Sequence, residues 1–401
     1  MTRDRPKTQR VPIRDTYLGL FDGPHATPKP SVDGPVFLGI GNITEDGHLD
    51  LTSVRHIAED DYPRWTKRVE PRPGDIVFTY EATLNRYAII PEGFRGCLGR
   101  RLALIRPNPK VVDTRFLHHY FFGADWRATI SRNTLAGATV ERVPLTTFPN
   151  FPIDLPELAT QRRIASILSV YDDLIENNTR RIAILGEMAR RTYEEWFIRF
   201  RFPGHEGVRM VESELGLVPE SWKVVRLDEV LVLQRGFDLP KQDRTEGPFP
   251  IISATGGSAT HHEYRVKGPG VVTGRSGSLG TVIYVESDFW PLNTTLWVKK
   301  FVVGSPLYGL YVLQSIDLAG FNSGAAVPTL NRNDIHGLPV VRPTPDVLAR
   351  FDEVALPIMS LKRRLELMND NLRTTRDLLL PKLISGELDV SVMPAPESIA
   401  A

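Results

Sequence analysis

The sequence predicts an α+β protein: two tandem globular segments separated by two long antiparallel coiled-coil helices, arranged as a pseudo-two-fold internal repeat. Three observations predict it. Short motifs return at one fixed offset: Ala136-Gly137-Ala138-Thr139-Val140 as Ser323-Gly324-Ala325-Ala326-Val327, Phe151-Pro152-Ile153 as Leu338-Pro339-Val340, and Pro156 as Pro343, each 187 positions on. An apolar stripe with steps of three and four residues follows each copy. The segments ahead of the stripes mix β-rich runs with Gly and Pro turns. An offset held across a gapless stretch marks a duplicated unit.

The first globular segment spans residues 1–156. Pro35-Val36-Phe37-Leu38 and Pro73-Gly74-Asp75-Ile76-Val77 read as strands, and the aromatic run 116–122 as a helix. Residues 157–201 carry the first stripe: Ile164, Leu168, Tyr171, Ile175, Asn178, Ile182, Leu185, Ala189 and Trp196. A seven-residue apolar repeat of this length predicts a coiled-coil helix. Asn178 has two readings, a buried amide that fixes register or an exposed edge of the stripe.

Residues 202–343 form the second globular segment. Pro248-Phe249-Pro250-Ile251-Ile252 parallels the first strand above, Pro269-Gly270-Val271-Val272-Thr273 parallels the second, 281–285 is a further β run, and 307–311 matches the aromatic helix. The second spacer helix spans 344–390, with Phe351, Ile358, Leu361, Leu365, Met368, Leu372 and Leu379 as its stripe. Pro345 suits a helix start, and Pro357 predicts a kink or a later true start. The tail 391–401 is expected to be disordered.

Composition narrows the function classes. The chain has 401 residues, 41% hydrophobic and 24% charged, with a formal net charge of +1, so any anion-binding surface must be local. Cys97 is the only cysteine, which excludes an internal disulfide and a cysteine-based zinc site. No stretch of eighteen apolar residues predicts a transmembrane helix, and the basic, polar N-terminus has no apolar run after it. A cytoplasmic location, no membrane partner and no metal are expected. Catalytic motifs are missing as well. Asn108-Pro109-Lys110 is a turn rather than an adenine-methyltransferase motif, Gly39-Ile40-Gly41-Asn42 lacks the third glycine of a dinucleotide fingerprint, and the Gly274–Gly280 loop lacks the Lys of a P-loop. No catalytic residue is assigned.

Each long helix covers about 35–40 residues, on the order of 55 Å. An apolar stripe of that length has to pair, and the two related helices are the natural partners. Running antiparallel, they would hold the globes at opposite ends, a layout suited to two short sequences on one duplex separated by a fixed gap.

Glu214-Leu215-Gly216-Leu217-Val218-Pro219-Glu220-Ser221-Trp222 is similar to the junction that opens the second half of the DNA specificity subunits of type I restriction–modification systems. Leu378-Leu379-Leu380-Pro381-Lys382-Leu383-Ile384-Ser385-Gly386-Glu387-Leu388 resembles the end of their second conserved helix, and Glu195-Trp196-Phe197 with Phe202-Pro203 the end of the first. Phe21-Asp22-Gly23-Pro24-His25-Ala26-Thr27-Pro28-Lys29 resembles the opening of a target-recognition domain, and Ala326-Val327-Pro328-Thr329-Leu330-Asn331 its close. One departure stands: Arg10-Val11-Pro12 starts abruptly, without a Pro-x-x-Trp opening.

The resemblance implies two target-recognition domains that each read half of an interrupted sequence in double-stranded DNA. It implies two helical regions that dock two modification (methyltransferase) subunits, with restriction (translocase and nuclease) subunits joining them. S-adenosylmethionine, ATP and magnesium would then be bound by those partners and not by this chain. The same resemblance leaves open service in a related type II methyltransferase–nuclease instead.

The candidate DNA-binding residues follow from side-chain chemistry. Arg275, Ser276 and Ser278 lie in the Gly-rich loop, where glycine admits close backbone approach and arginine can pair with guanine. The ordinary reading of that loop is a turn with a solvated arginine. Tyr80, Asn85 and Arg86 form its counterpart. His261, His262, Arg265 and Lys267 share a polar stretch, and Lys29, Asn42, Arg132, Asn133, Lys241 and Asn322 are further candidates for phosphate or base contact. His118-His119 lies in an aromatic run and reads as core or helix surface. For partner docking the candidates are Arg180, Arg181, Tyr193, Trp196, Phe197, Leu380 and Lys382. Their neighbouring helix charges also suit an ordinary solvated face. The competing class is a coiled-coil adaptor that binds protein without reading DNA.

Overall fold

The computed structural model describes residues 8–135, 140–321, 328–388 and 390, so the tail 391–401 lies outside the described residues. The chain divides into two compact units, one of residues 1–178 with 368–401 and one of 179–367.

The globe of the first unit contains β1 (Gln9–Pro12), β2 (Tyr17–Asp22), β3 (Ser31–Leu38), β4 (Arg55–His56), α1 (Tyr62–Trp65), β5 (Ile76–Thr79), β6 (Tyr87–Ile89), β7 (Gly96–Leu98), β8 (Leu102–Pro107), α2 (Thr114–Tyr120), α3 (Ala124–Arg132) and β9 (Pro152–Leu155). One antiparallel sheet has the order β2-β8-β5-β6, and a smaller one the order β4-β3-β7 with β3 and β7 parallel. β5 is buried along its whole length because both faces are covered. Ile76 and Phe78 face one core while Val77 faces another, as two-residue alternation demands. The first of these cores is aromatic. Phe78, Tyr87, Phe121, Trp126 and Phe148 pack on one another, and the Trp126 indole donates to Tyr87 Oη at 2.9 Å. The 116–122 run is helical through Tyr120, with Asp113 capping the Phe116 amide at 3.0 Å.

The spacer α4 (Leu158–Tyr193) follows and ends in a wider turn, Glu194–Ile198. The second globe contains β10 (Met210–Ser213), β11 (Gly216–Pro219), β12 (Lys223–Arg226), β13 (Leu231–Arg235), β14 (Phe249–Ser253), β15 (Gly256–His261), β16 (Gly270–Gly274), β17 (Val282–Val285), β18 (Trp290–Pro291), β19 (Thr295–Phe301), α5 (Pro306–Gln314), α6 (Arg332–His336) and β20 (Pro339–Arg342). Its sheets have the orders β13-β19-β16-β17 and β15-β14-β18, with β14 and β18 parallel. These two orders repeat those of the first globe, and the β10-β11 hairpin is an addition of the second. β12 pairs with β20 as β1 pairs with β9, so Gln9–Pro12 is the opening strand that the abrupt N-terminal sequence obscured.

α7 (Pro345–Ile384) completes the chain. It runs unbroken through Pro357, so the later start expected from that proline is not found. Phe351 and Ala355, fully buried in the second unit's core, hold the turn ahead of it and offset one missing hydrogen bond. In the first unit the helices pair antiparallel: Asp172 contacts Arg376 at 2.7 Å, and Asn178 contacts Asn369 at 3.0 Å. Asn178 is therefore a buried amide and not an edge residue. In the second unit Gly186 lies against the Lys362 stem. Lys362, Asn369 and Arg376 recur at seven-residue steps on α7, so its seam carries periodic polar layers. Leu361 and Met368, expected in the stripe, stand one residue off that seam and are 40% and 50% exposed.

Candidate nucleic-acid interface

Three loops of the first globe meet at one rim: 23–30 after β2, 80–86 after β5, and 99–101 after β7. Backbone bonds fix them. The Gly23 amide donates to the Leu102 carbonyl at 2.9 Å and the Tyr80 amide to the Arg101 carbonyl at 3.3 Å. The second globe repeats both, with Gly236 donating to Thr295 at 3.1 Å and Arg275 to Thr294 at 2.8 Å. Glycine is required where these loops cross. A Cβ on Gly23 would stand 2.1 Å from the Gly99 carbonyl oxygen, and one on Gly236 2.2 Å from that of Leu292.

The loop 80–86 and the loop 275–281 share a backbone conformation. Ala82 and Asn85 are left-handed at φ 73° and 61°, and Gly277 and Gly280 occupy the matching positions at φ 89° and 90°. A non-glycine residue persists in that region only where its surroundings over-determine it, and such residues cluster at functional sites. Here a clamp does so. Glu81 bridges to Arg142 and the Ala82 amide donates to the Glu141 carbonyl at 2.9 Å, while Ser276 bridges to Thr329 and the Gly277 amide donates to Pro328 at 3.0 Å. Arg142 and Thr329 keep the 187-residue offset. Much of the repeated Gly-Ala motif just before them, and the candidate Asn322, lie outside the described residues.

Several sequence-predicted residues are placed where a ligand could meet them. Lys29, Lys241, His262, Lys267 and Ser278 are exposed, and Arg275 and Ser276 half-exposed. The Arg275 guanidinium has no partner among the described residues. Arg265 is exposed and lies over the Trp290 ring, 4.6 Å from its centroid. Arg132 and Asn133 are exposed at the end of α3, where Asn133 Nδ2 donates to the Thr129 carbonyl at 2.8 Å. Asn85 is half-buried, and its Oδ1 is buried without a hydrogen bond.

Other candidates are committed to the fold. Tyr80 is buried, donates to the Arg100 carbonyl at 3.1 Å, and has its phenol pushed up to about 12 by burial. Asn42 uses its whole amide locally, accepting from the Gly39 amide at 2.8 Å and donating to the carbonyls of Asp50 and Ser53 at 3.0 and 3.2 Å. Arg86 pairs with Glu45 at 2.8 Å and donates to the Ile43 carbonyl. His261 is buried edge-on against Trp290. These four carry loop structure rather than open contact groups. His118 and His119 are buried, and burial holds both near pKa 3.

Among the docking candidates, Tyr193 and Phe197 are buried in the second unit's core and Leu380 in the first's, so none of the three presents a docking surface. Trp196 is half-buried against Phe351, while Arg180, Arg181 and Lys382 are exposed. On α4 and α7 the second unit leaves open the apolar side chains Ile184, Met188, Val354, Leu356, Leu361 and Leu367.

The sequence reading missed three arginines. Arg55, Arg100 and Arg101 line a cleft of about 240 Å³ in the first globe, together with Thr27, Phe37 and Gly39. The available signal was Gly99-Arg100-Arg101, a glycine and two adjacent cations directly after a β run. Among the described residues no group of three His, Cys, Asp or Glu side chains could hold a metal ion, and no helix is long and apolar enough to cross a membrane.

Residues 38–185 match the family model described as type I restriction modification DNA specificity domain. The chain is 25% identical over 369 residues to the type I restriction enzyme MjaIX specificity subunit of Methanocaldococcus jannaschii, covering 84% of this chain and 82% of that one. It is 29% identical over 144 residues to the MjaVIII specificity subunit of the same organism, covering 36% of this chain and 32% of that one. Among solved structures it is similar to the type I restriction–modification S subunit from M. genitalium. That match has a TM-score of 0.58 and 15% identity, over 96% of this chain and 97% of that one.

Proposed function

We infer that this chain, which belongs to the DNA specificity subunits of type I restriction–modification systems, reads one half of an interrupted double-stranded target with each globe. The observation that carries this division is the repeated rim: one backbone frame, clamped in the same way, bearing different side chains. A shared frame presents two loop sets to DNA in one manner, and the differing side chains give each globe its own base preference.

The chain confers sequence specificity and does no chemistry itself. Adenine-N6 methylation and cleavage fall to modification and restriction subunits, which bring S-adenosylmethionine, ATP and magnesium, and the assembly works in the cytoplasm. Docking of the modification subunits uses the open apolar side chains Ile184, Met188, Val354, Leu356, Leu361 and Leu367, with Arg180, Arg181 and Lys382 as flanking charges. These replace the buried Tyr193, Phe197 and Leu380 as the direct contacts.

The test is co-expression with the neighbouring methyltransferase, followed by single-molecule sequencing for methyladenine. An interrupted motif that vanishes on deleting this chain is expected. Methylation unaffected by the deletion overturns the reading. Ile184→Glu with Leu361→Glu should abolish co-purification of the methyltransferase and leave the thermal unfolding of the isolated chain unchanged.

A further inference from the structure

We propose that Arg100 and Arg101, with Arg55 beside them, are the DNA-contacting cations of the first globe and take there the place that Arg275 holds in the second. This rests on the reading of the globes as DNA readers. The frame equivalence locates the pairing. The Tyr80 amide donates to the Arg101 carbonyl as the Arg275 amide donates to that of Thr294. Thr79 faces Leu102 across the sheet as Gly274 faces Thr295. Tyr80 therefore matches Arg275, Arg100 matches Asn293, and Arg101 matches Thr294.

At these matched places the cationic side chain has changed loops. The second globe carries arginine after β16 and Asn-Thr after β18. The first has a buried tyrosine after β5 and two arginines after β7. Tyr80 cannot act as a contact, yet it fixes the turn that can, because its hydroxyl and amide anchor the carbonyls of Arg100 and Arg101. The turn's backbone is thereby held while its side chains line the cleft.

The cleft has the chemistry of a guanidinium site for an acceptor-rich ligand. Arg100 and Arg55 are exposed, and Arg55 is held over the Phe37 ring, 4.9 Å from its centroid. Arg101 lies 3.7 Å from Glu81, and its Nε is buried without a hydrogen bond. A carboxylate at that distance orients the guanidinium and leaves its outer edge open. The ligand offers oxygen or ring-nitrogen acceptors, from a guanine edge in the major groove or from backbone phosphates.

The experiment uses the complete complex of this chain with its methyltransferase. Exchange of residues 205–335 with those of a relative first assigns each half-motif to a globe. The variants Arg100→Ala, Arg101→Ala, Arg55→Ala and the milder Arg101→Lys are then compared by methylome and by binding to a duplex carrying the motif across a salt series. If the arginines read bases, the first globe's half-motif becomes degenerate at one position while the other half is kept. If they hold phosphates, both halves are kept, binding weakens several-fold, and the logarithmic salt slope falls by about one per residue removed. Either result supports the proposal, and retention of the second half-motif shows the complex is folded. Wild-type motif, affinity and salt slope in all four variants overturn it, as does a change confined to the second half. The parent complex separates the two levels: without an interrupted motif in the parent, the reading of the chain itself fails.

Discussion

Asn178 donates from Nδ2 to Oδ1 of Asn369 at 3.0 Å inside the helix seam of the first unit, and Asn369 in turn donates to the Ile175 carbonyl at 3.3 Å. Both side chains are buried. A slip of one residue along either helix would leave two amides without partners, so the pair opposes register errors that an apolar seam would tolerate. Replacing one partner, as in Asn369→Leu, should cost about 1–3 kcal/mol because the remaining amide loses its match. The double variant Asn178→Leu with Asn369→Leu should recover most of that loss. Urea denaturation of the four proteins gives the cycle, and a single variant as stable as the parent would contradict it.

The buried histidines set an acid limit. His118 Nε2 lies 3.0 Å from the Gly47 carbonyl, and His119 Nε2 lies 3.5 Å from Asp172. Burial holds both neutral in the folded chain, near pKa 3, against about 6.5 when unfolded. The unfolded state therefore binds more protons between those values. The stabilisation is complete above about pH 6.5 and drains away as pH falls toward 3, by about 1.4 kcal/mol per pH unit for each histidine. Denaturation midpoints should fall from pH 7.5 to pH 5.5 in the parent. His118→Gln with His119→Gln should flatten that dependence, and an equal slope in both proteins would refute the assignment.

The matched left-handed residues predict opposite responses to reverse changes. Ala82 at φ 73° bears the steric cost of that region, whereas Gly277 at φ 89° does not. Ala82→Gly should leave stability level or slightly improved, since relief of strain offsets the greater freedom of the unfolded glycine. Gly277→Ala should cost about 1 kcal/mol. Thermal melts read both, and a stabilised Gly277→Ala would show that the loops do not share a conformation.

Much of the frame was legible because its signals are local and periodic. The fixed offset exposed the repeat, and the position of Arg142 and Thr329 shows that it extends to the loop clamp. The Gly-rich loop and its counterpart around Tyr80 were paired from sequence, and the structure gives them one backbone. The misassignments arise where a side chain's chemistry does not reveal its neighbours. Tyr80, Asn42 and Arg86 are plausible DNA ligands by type, but each is committed to a partner its type does not announce: Tyr80 to Arg100, Asn42 to Asp50 and Ser53 in its own loop, and Arg86 to the distant Glu45. The seam failed for a related reason. Leu361 and Met368 fit an apolar stripe, whereas Lys362, Asn369 and Arg376 find partners or bury their stems one position later.

The polar layers also decide how the spacer can be lengthened. Seven residues inserted into α4 alone, between Arg180 and Gly186, would carry Gly186 and everything after it out of step with Lys362. Such a protein should lose activity rather than change its gap. A matched insertion of seven residues in α7, between Lys362 and Asn369, restores every polar pairing on both sides. Seven residues add about 10.5 Å of helix, close to three base pairs of duplex. The matched variant should methylate the same two half-sequences with a gap longer by about three base pairs, as read from the methylome of cells expressing it with the methyltransferase. Altered half-sequences would break the division between globes and spacer, and an unchanged gap would show that the helices do not measure the distance.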